Sequence, residues 1–306
     1  MKSKLVLPHS NASAISITIS LGIIYFVWAS TYVGIAFMVE EIPPHTGSGF
    51  RFVTAGLLIS TLILITKGPK YLFVDKKQVR NAMFIGFILI GLATPLIAVA
   101  SQYIGSGLIA LLVAMTPVFV AILRFIFGDK PNWKTIIGIS IGIAGVAILV
   151  KPTPGQGWYT LIPIASTVIW AIGSFWAQKI ELPKSALTTA AWQTLFGGLC
   201  AIGVGFIRGE DTLLFFQARE LETWVAFFYI SIMGAIAYSA YAFLLDNAPI
   251  SLVATYAFVN PVVAVFLGAI LRNELITFTI LSGGFVVVLG IALVVLGETK
   301  KVEINP

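Results

Sequence analysis

Ten times along this chain about twenty residues pass with almost no charge, and that rhythm leaves few folds open. The runs lie near residues 15–38, 47–66, 81–101, 106–127, 134–150, 158–178, 186–207, 223–245, 251–271 and 276–296. As helices, runs of about 20 residues cross the hydrocarbon core of a bilayer. Backbone groups there have no water to bond, so a spanning segment must satisfy them within itself or in a closed barrel. The pattern predicts an all-α integral membrane protein of ten transmembrane helices. Composition agrees: 58% of the 306 residues are hydrophobic and 10% charged, against about 25% charged in soluble domains. The longest connections are the charged loop 67–80 and the segment 208–222, which leave no room for a soluble domain.

Lys2 and Lys4 ahead of the first run imitate a secretion signal. That run is too long for one, and no convincing small-residue cleavage site follows, so it reads as an uncleaved span. Lysine and arginine set the orientation. With the N-terminus inside, fourteen fall on the cytoplasmic side: Lys2, Lys4, Lys67, Lys70, Lys76, Lys77, Arg80, Arg124, Lys130, Lys134, Lys179, Lys184, Lys300 and Lys301. Four fall outside, Lys151, Arg208, Arg219 and Arg272, while Arg51 lies within the second run. Both termini are therefore expected in the cytoplasm of a plasma-membrane protein, where the sequon at Asn11 has no meaning.

The chain also repeats itself. "LLVAMTPVFVAILRFIFGDK" at 111–130 is answered by "YAFVNPVVAVFLGAILRNEL" at 256–275, with Pro117 and Pro261 in register. Asp129 leads Gly138 and Gly145 by the same intervals that separate Glu274 from Gly283 and Gly290. Trp28-Ala29 matches Trp170-Ala171, and Phe50-Arg51 matches Trp192-Gln193. Five spans thus recur as five, and an odd number per copy turns the copies over in the membrane. Such inverted repeats are common in secondary transporters, whose substrates bind between the halves beside broken helices. The expected organisation is a tail at 1–14, one repeat at 15–150, a second at 151–297 and a tail at 298–306. Pro117 and Pro261 are expected to mark paired kinks facing a central cavity, since proline removes a helical hydrogen bond and frees the carbonyl four residues earlier.

At "WAST" (28–31), "RFVTAGLL" (51–58), "P…GDKPNWKTIIGISIGIAGV" (117–146) and "P…RNELITFTILSGGFVVVLG" (261–290) the sequence resembles the drug/metabolite transporter superfamily, specifically exporters with two EamA-type domains. The resemblance covers nearly the whole chain. It implies ten helices in inverted five-helix repeats, a central pocket, and export of amino acids or other small metabolites. Two positions depart from the family pattern: Asp129 stands where glutamate is usual, and Asn273 where glycine precedes Glu274.

Within such a pocket, helical spacing groups the candidates. Tyr25, Trp28 and Tyr32 share a face of span one; Trp170, Ser174 and Gln178 share one of span six; Tyr238 and Tyr241 align on span eight, and Tyr256 stands one turn before Asn260 on span nine. Thr94 and Gln102 lie on span three, Thr116 precedes Pro117, and Gln193 is the repeat partner of Arg51. Aromatic walls with a few polar donors suit a small zwitterion or an apolar metabolite. Against this stands interfacial placement of aromatics near span ends, as for Tyr25, Trp133, Trp158 and Trp224. Arg51 has two readings, holding a substrate carboxylate or snorkelling and pairing with Glu40 or Glu41; its place in a general family feature favours the structural one. Glu40, Glu41, Asp129, Asp246 and Glu274 sit at span ends, so no mid-span acid supports direct proton antiport. For Asp129 and Glu274 the expected role is capping or pairing at the start of the following helix.

Other classes find little support. One cysteine, Cys200, and two histidines outside the apolar runs furnish no disulfide or metal set, and no catalytic constellation lies in the spans. The expectation is a carrier with no enzymatic activity and no cofactor, whose partners are a small-molecule substrate and the lipid bilayer, not nucleic acid. Import of the same metabolites, lipid flipping and multidrug efflux remain the alternatives. Glycines at 138, 142, 145, 283, 284 and 290 suit close helix packing, within the chain or in a homodimer.

Overall fold

The computed structural model describes residues 13–150, 157–248, 250–253 and 255–304. The N-terminal lysines, Asn11 and Lys151 lie outside them. Apart from short helical turns, the described residues form ten helices and no strand: α1 (Ala14–Met38), α2 (Pro44–Thr66), α3 (Lys76–Ser101), α4 (Ser106–Ile126), α5 (Trp133–Leu149), α6 (Leu161–Ala177), α7 (Ala186–Ile207), α8 (Leu221–Asn247), α9 (Tyr256–Arg272) and α10 (Phe278–Ile304). Eight of the helical segments are long and apolar enough to cross a membrane, and α5 and α9 are shorter apolar helices.

The helices start where the local chemistry lets them. Pro44 opens α2 three residues ahead of the apolar run, because a proline in the first turn has no N–H to leave unbonded. Asp75 accepts the Lys77 N–H at 2.8 Å, drawing charged residues into the first turns of α3. Ser13, Asn132 and Ser185 cap α1, α5 and α7 in the same way. Asn273, where the family pattern has glycine, adopts a left-handed conformation with φ of 53° and ends α9. Asparagine tolerates that conformation better than most residues, so the departure keeps the left-handed helix end.

Three helices are irregular. α3 contains a π-helical stretch, Phe87–Ala93. α4 stops after Val113 and restarts at Thr116. The expected ninth span is divided: a short turn, Ile250–Val253, precedes α9 proper.

The closest helix pairs are α5 with α10 and α2 with α7. A Cβ on Gly290 would lie 2.5 Å from the Gly142 nitrogen, and one on Gly145 would lie 2.7 Å from the Val287 nitrogen. Small residues therefore let the two backbones touch, and α5 and α10 use their glycine faces on each other. α1 packs on α8 and α9, α6 on α3 and α4, α4 on α9, and α7 on α3. Outward-facing residues such as Phe206, Ile207, Phe278 and Phe285 are exposed and apolar, an inside-out arrangement suited to lipid.

Candidate functional site

The site begins with the prolines. Pro117 cannot donate to the Val113 carbonyl. At that break Thr116 Oγ1 donates to the same carbonyl at 2.8 Å, the repair by a neighbouring hydroxyl that hydrocarbon demands. Pro261 behaves differently. It lies inside α9, and the interruption of the chain falls ahead of it, before Tyr256. Nor does Asn260 serve the Ala257 carbonyl that Pro261 frees. In its hydrogen-bonding orientation the Asn260 amide donates to the carbonyls of Tyr25, 3.1 Å away on α1, and Tyr256, 3.3 Å away. Asn260 therefore ties α9 to α1.

Beside that tie the aromatic side chains converge. The Trp28 ring lies 4.8 Å from Tyr256, 5.2 Å from Tyr241 and 6.1 Å from Tyr238. Tyr241 and Tyr256 meet edge to face at 6.1 Å. Trp170 packs in a neighbouring cluster with Phe52, Leu89 and Ile90, which Tyr238 joins as well. Tyr238 thus links the surroundings of the two repeat-related tryptophans.

Arg51 enters from α2. Its guanidinium carbon stands 4.3 Å from the Phe52 ring centroid, and its charge acts on Tyr32 and Tyr238. Among the described residues Arg51 has no carboxylate partner. The two glutamates offered to it by the sequence are committed elsewhere: Glu40 to Arg272 at 2.7 Å, and Glu41 to the backbone N–H groups of Arg219 and Glu220 at 3.1 and 2.9 Å. The hydroxyls of Tyr32, Tyr238, Tyr241 and Tyr256 likewise form no hydrogen bond within the described protein, yet each residue is only half-buried. Enclosed polar groups in native proteins are paired, and these keep accessible surface while surrounded by helices. That combination leaves Arg51 and four hydroxyls as donors with no bonded partner among the described residues, on α1, α2, α8 and α9.

Other expected residues fall in and out of this group. Gln193, packed where α7 meets Gly86 of α3, and Ser174 are half-buried with unbonded side chains. Thr94 Oγ1 turns back to the Ile90 carbonyl at 2.8 Å, within the π-helical stretch. Gln102 is exposed at the end of α3, away from the enclosed group. Trp133 and Trp158 are exposed, as interfacial aromatics are, whereas Trp224 packs against Phe215 and Phe228.

The ends of the bundle are tied by charge. Glu274 does not cap the helix that follows it: its carboxylate accepts the Ser106 and Gly107 N–H groups at 2.7 and 3.1 Å, capping α4, while Thr277 caps α10. Asp129 pairs with Arg124 at 2.8 Å, and Asn132 caps α5. Glu210 accepts from the His45 and Thr46 N–H groups at 3.0 and 2.9 Å and lies 2.7 Å from His45 Nδ1. Burial pushes this carboxyl up, but the hydrogen bonds from His45 and Thr46 outweigh it and hold the group down at about 2. The ties of Glu40, Glu41, Glu210 and Glu274 gather the α1–α2, α3–α4, α7–α8 and α9–α10 connections. At the opposite end Glu181 accepts from Lys77 and Gln78, 3.1 and 2.9 Å away.

Two features escaped the sequence reading. Ser166 of α6 donates to the Ala93 carbonyl at 2.8 Å, anchoring the π-helical stretch, whose one signal was "GLATP" with its Gly91 and Pro95. Ser30 and Tyr229 join α1 to α8 at 2.6 Å, with no local signature.

Ten apolar helices with lipid-suited outer faces define a polytopic membrane protein. The chain belongs to the EamA-like transporter family, which matches it twice, over residues 16–151 and 157–296. It is 32% identical to the uncharacterized inner membrane transporter YedA of Escherichia coli K12, across 90% of this chain and 89% of that one. An uncharacterized transporter of Archaeoglobus fulgidus is 23% identical over 88% of this chain and 94% of its own. A solved structure of 16% identity superposes over 95% of this chain and all of its own with a TM-score of 0.64, a likeness of fold. The protein is a multi-pass membrane transporter.

Proposed function

We propose that the protein is a plasma-membrane exporter of small metabolites, such as amino acids or related compounds, working by alternating access between two inverted five-helix repeats. The observation that carries this reading is the group of unbonded donors, Arg51 with the Tyr32, Tyr238, Tyr241 and Tyr256 hydroxyls, between helices of both repeats. The pattern of helix contacts supports the symmetry. Exchanging each helix for the one five places away turns α1–α8 into α6–α3 and α1–α9 into α6–α4, and leaves α2–α7, α4–α9 and α5–α10 unchanged. Both members of each pair are in contact, as a pseudo-two-fold axis in the membrane plane requires. The excess of lysine and arginine in alternate connections supports cytoplasmic termini.

The test is a metabolite challenge of cells lacking or overexpressing the protein, with intracellular pools measured by mass spectrometry. Selective depletion on overexpression, abolished by Trp170→Ala and Asn260→Ala, is expected. Accumulation instead would reverse the direction to import. Unchanged pools together with movement of labelled lipid would replace the carrier with a flippase.

A further inference from the structure

We infer that the cargo is an organic anion, its carboxylate held by Arg51 and its apolar body laid against Trp28, Trp170 and Tyr238. This rests on the transporter reading and narrows its cargo to acids without an ammonium group, setting the amino-acid example aside.

The inference starts from charge. A guanidinium cannot be deprotonated in a protein, so Arg51 is a permanent cation. Arg51 is half-buried beside the Phe52 ring, where a charge gains from a partner, and no carboxylate among the described residues pairs with it. Tyr32 and Tyr238 sit within its field, and Phe52 supports one face of the guanidinium, leaving the edge with its N–H donors for a ligand. Two parallel N–H groups match the two oxygens of a carboxylate. An ammonium group on the cargo lies near this fixed cation, with ring faces but no described carboxylate to offset the repulsion. A purely apolar cargo leaves the cation bare. An anion with an apolar body satisfies both the charge and the aromatic walls.

The measurement is calorimetric titration of the purified full-length protein in detergent, in chloride-free buffer because small inorganic anions compete for the same cation. The probes are phenylacetate, phenylacetamide, phenethylamine and phenylalanine, which share a ring and differ in charge. Phenylacetate should bind roughly tenfold or more tightly than phenylacetamide, the ratio expected for a charged hydrogen-bonded contact. Arg51→Gln should erase that ratio without weakening phenylacetamide, and Arg51→Lys should keep part of it. If Arg51→Gln does not elute as a single species, the wild-type ratio and Arg51→Lys decide. Equal or tighter binding of phenylacetamide, phenethylamine or phenylalanine overturns the anion assignment, as does the binding of no probe. Cellular metabolite depletion would survive such a failure, and its absence would strike the transporter reading instead.

Discussion

Thr116 and Asn260 occupy the same place in the two repeats, one residue before a proline, and do different work. Thr116 bonds within its own helix, to the carbonyl that Pro117 frees. Thr116→Val should bare that carbonyl and cost about 1 kcal/mol, read as a lower thermal midpoint in detergent, while Thr116→Ser stays near wild type. Asn260 reaches across to Tyr25 instead. Hydrogen bonds between membrane helices are worth about 0.6 kcal/mol on average, so Asn260→Ala should fold nearly as well as wild type yet lose transport. Equal loss of insertion and transport in that variant would make Asn260 a packing residue. The sequence marked both positions, because a proline inside an apolar run is a visible break. It did not say which acceptor each would find, since the Tyr25 carbonyl lies on another helix, more than two hundred residues away in the chain.

At the scale of the helix, legibility followed the origin of the signal. The ten apolar runs were plain, because hydrocarbon solvates a length of helix and that length is written locally. The π-helical turn of α3 and the division ahead of α9 were not, since both leave composition unchanged. The caps supplied by Glu210 and Glu274 were hidden for another reason: their partners, in α2 and α4, belong to the other repeat. Glycine spacing foretold close packing, and the structure gave the partner by laying α5 on α10. Gly290→Leu drives a side chain into the Gly142 backbone, and overpacking of this kind costs about 1–3 kcal/mol or more. The variant should show reduced yield and a lower thermal midpoint, whereas Gly203→Leu, where a Cβ meets no neighbour, should show neither.

For the molecule as a whole, the ties at its ends make stability sensitive to acid. Glu210 in the folded protein titrates at about 2, below its ordinary 4.5. A carboxyl depressed by folding contributes fully above its ordinary value and loses that contribution as the pH falls towards the folded one. Thermal midpoints measured downward from about pH 5 should therefore drop between about pH 4.5 and 2, and Glu210→Gln should start lower and fall less steeply. A wild-type profile identical in shape to that of Glu210→Gln would remove the carboxylate from this role. The unpaired Arg51 has a consequence of another kind. In a carrier that alternates, water slipping through the passage as it switches carries protons with it, and a cell that energises its membrane cannot tolerate the short circuit. A fixed positive charge in the passage repels hydronium and sodium, as cationic barriers do in water-selective pores. Vesicles carrying Arg51→Gln should dissipate an imposed proton gradient faster than those carrying the wild type, so that one side chain would serve both to choose the cargo and to insulate the membrane it crosses.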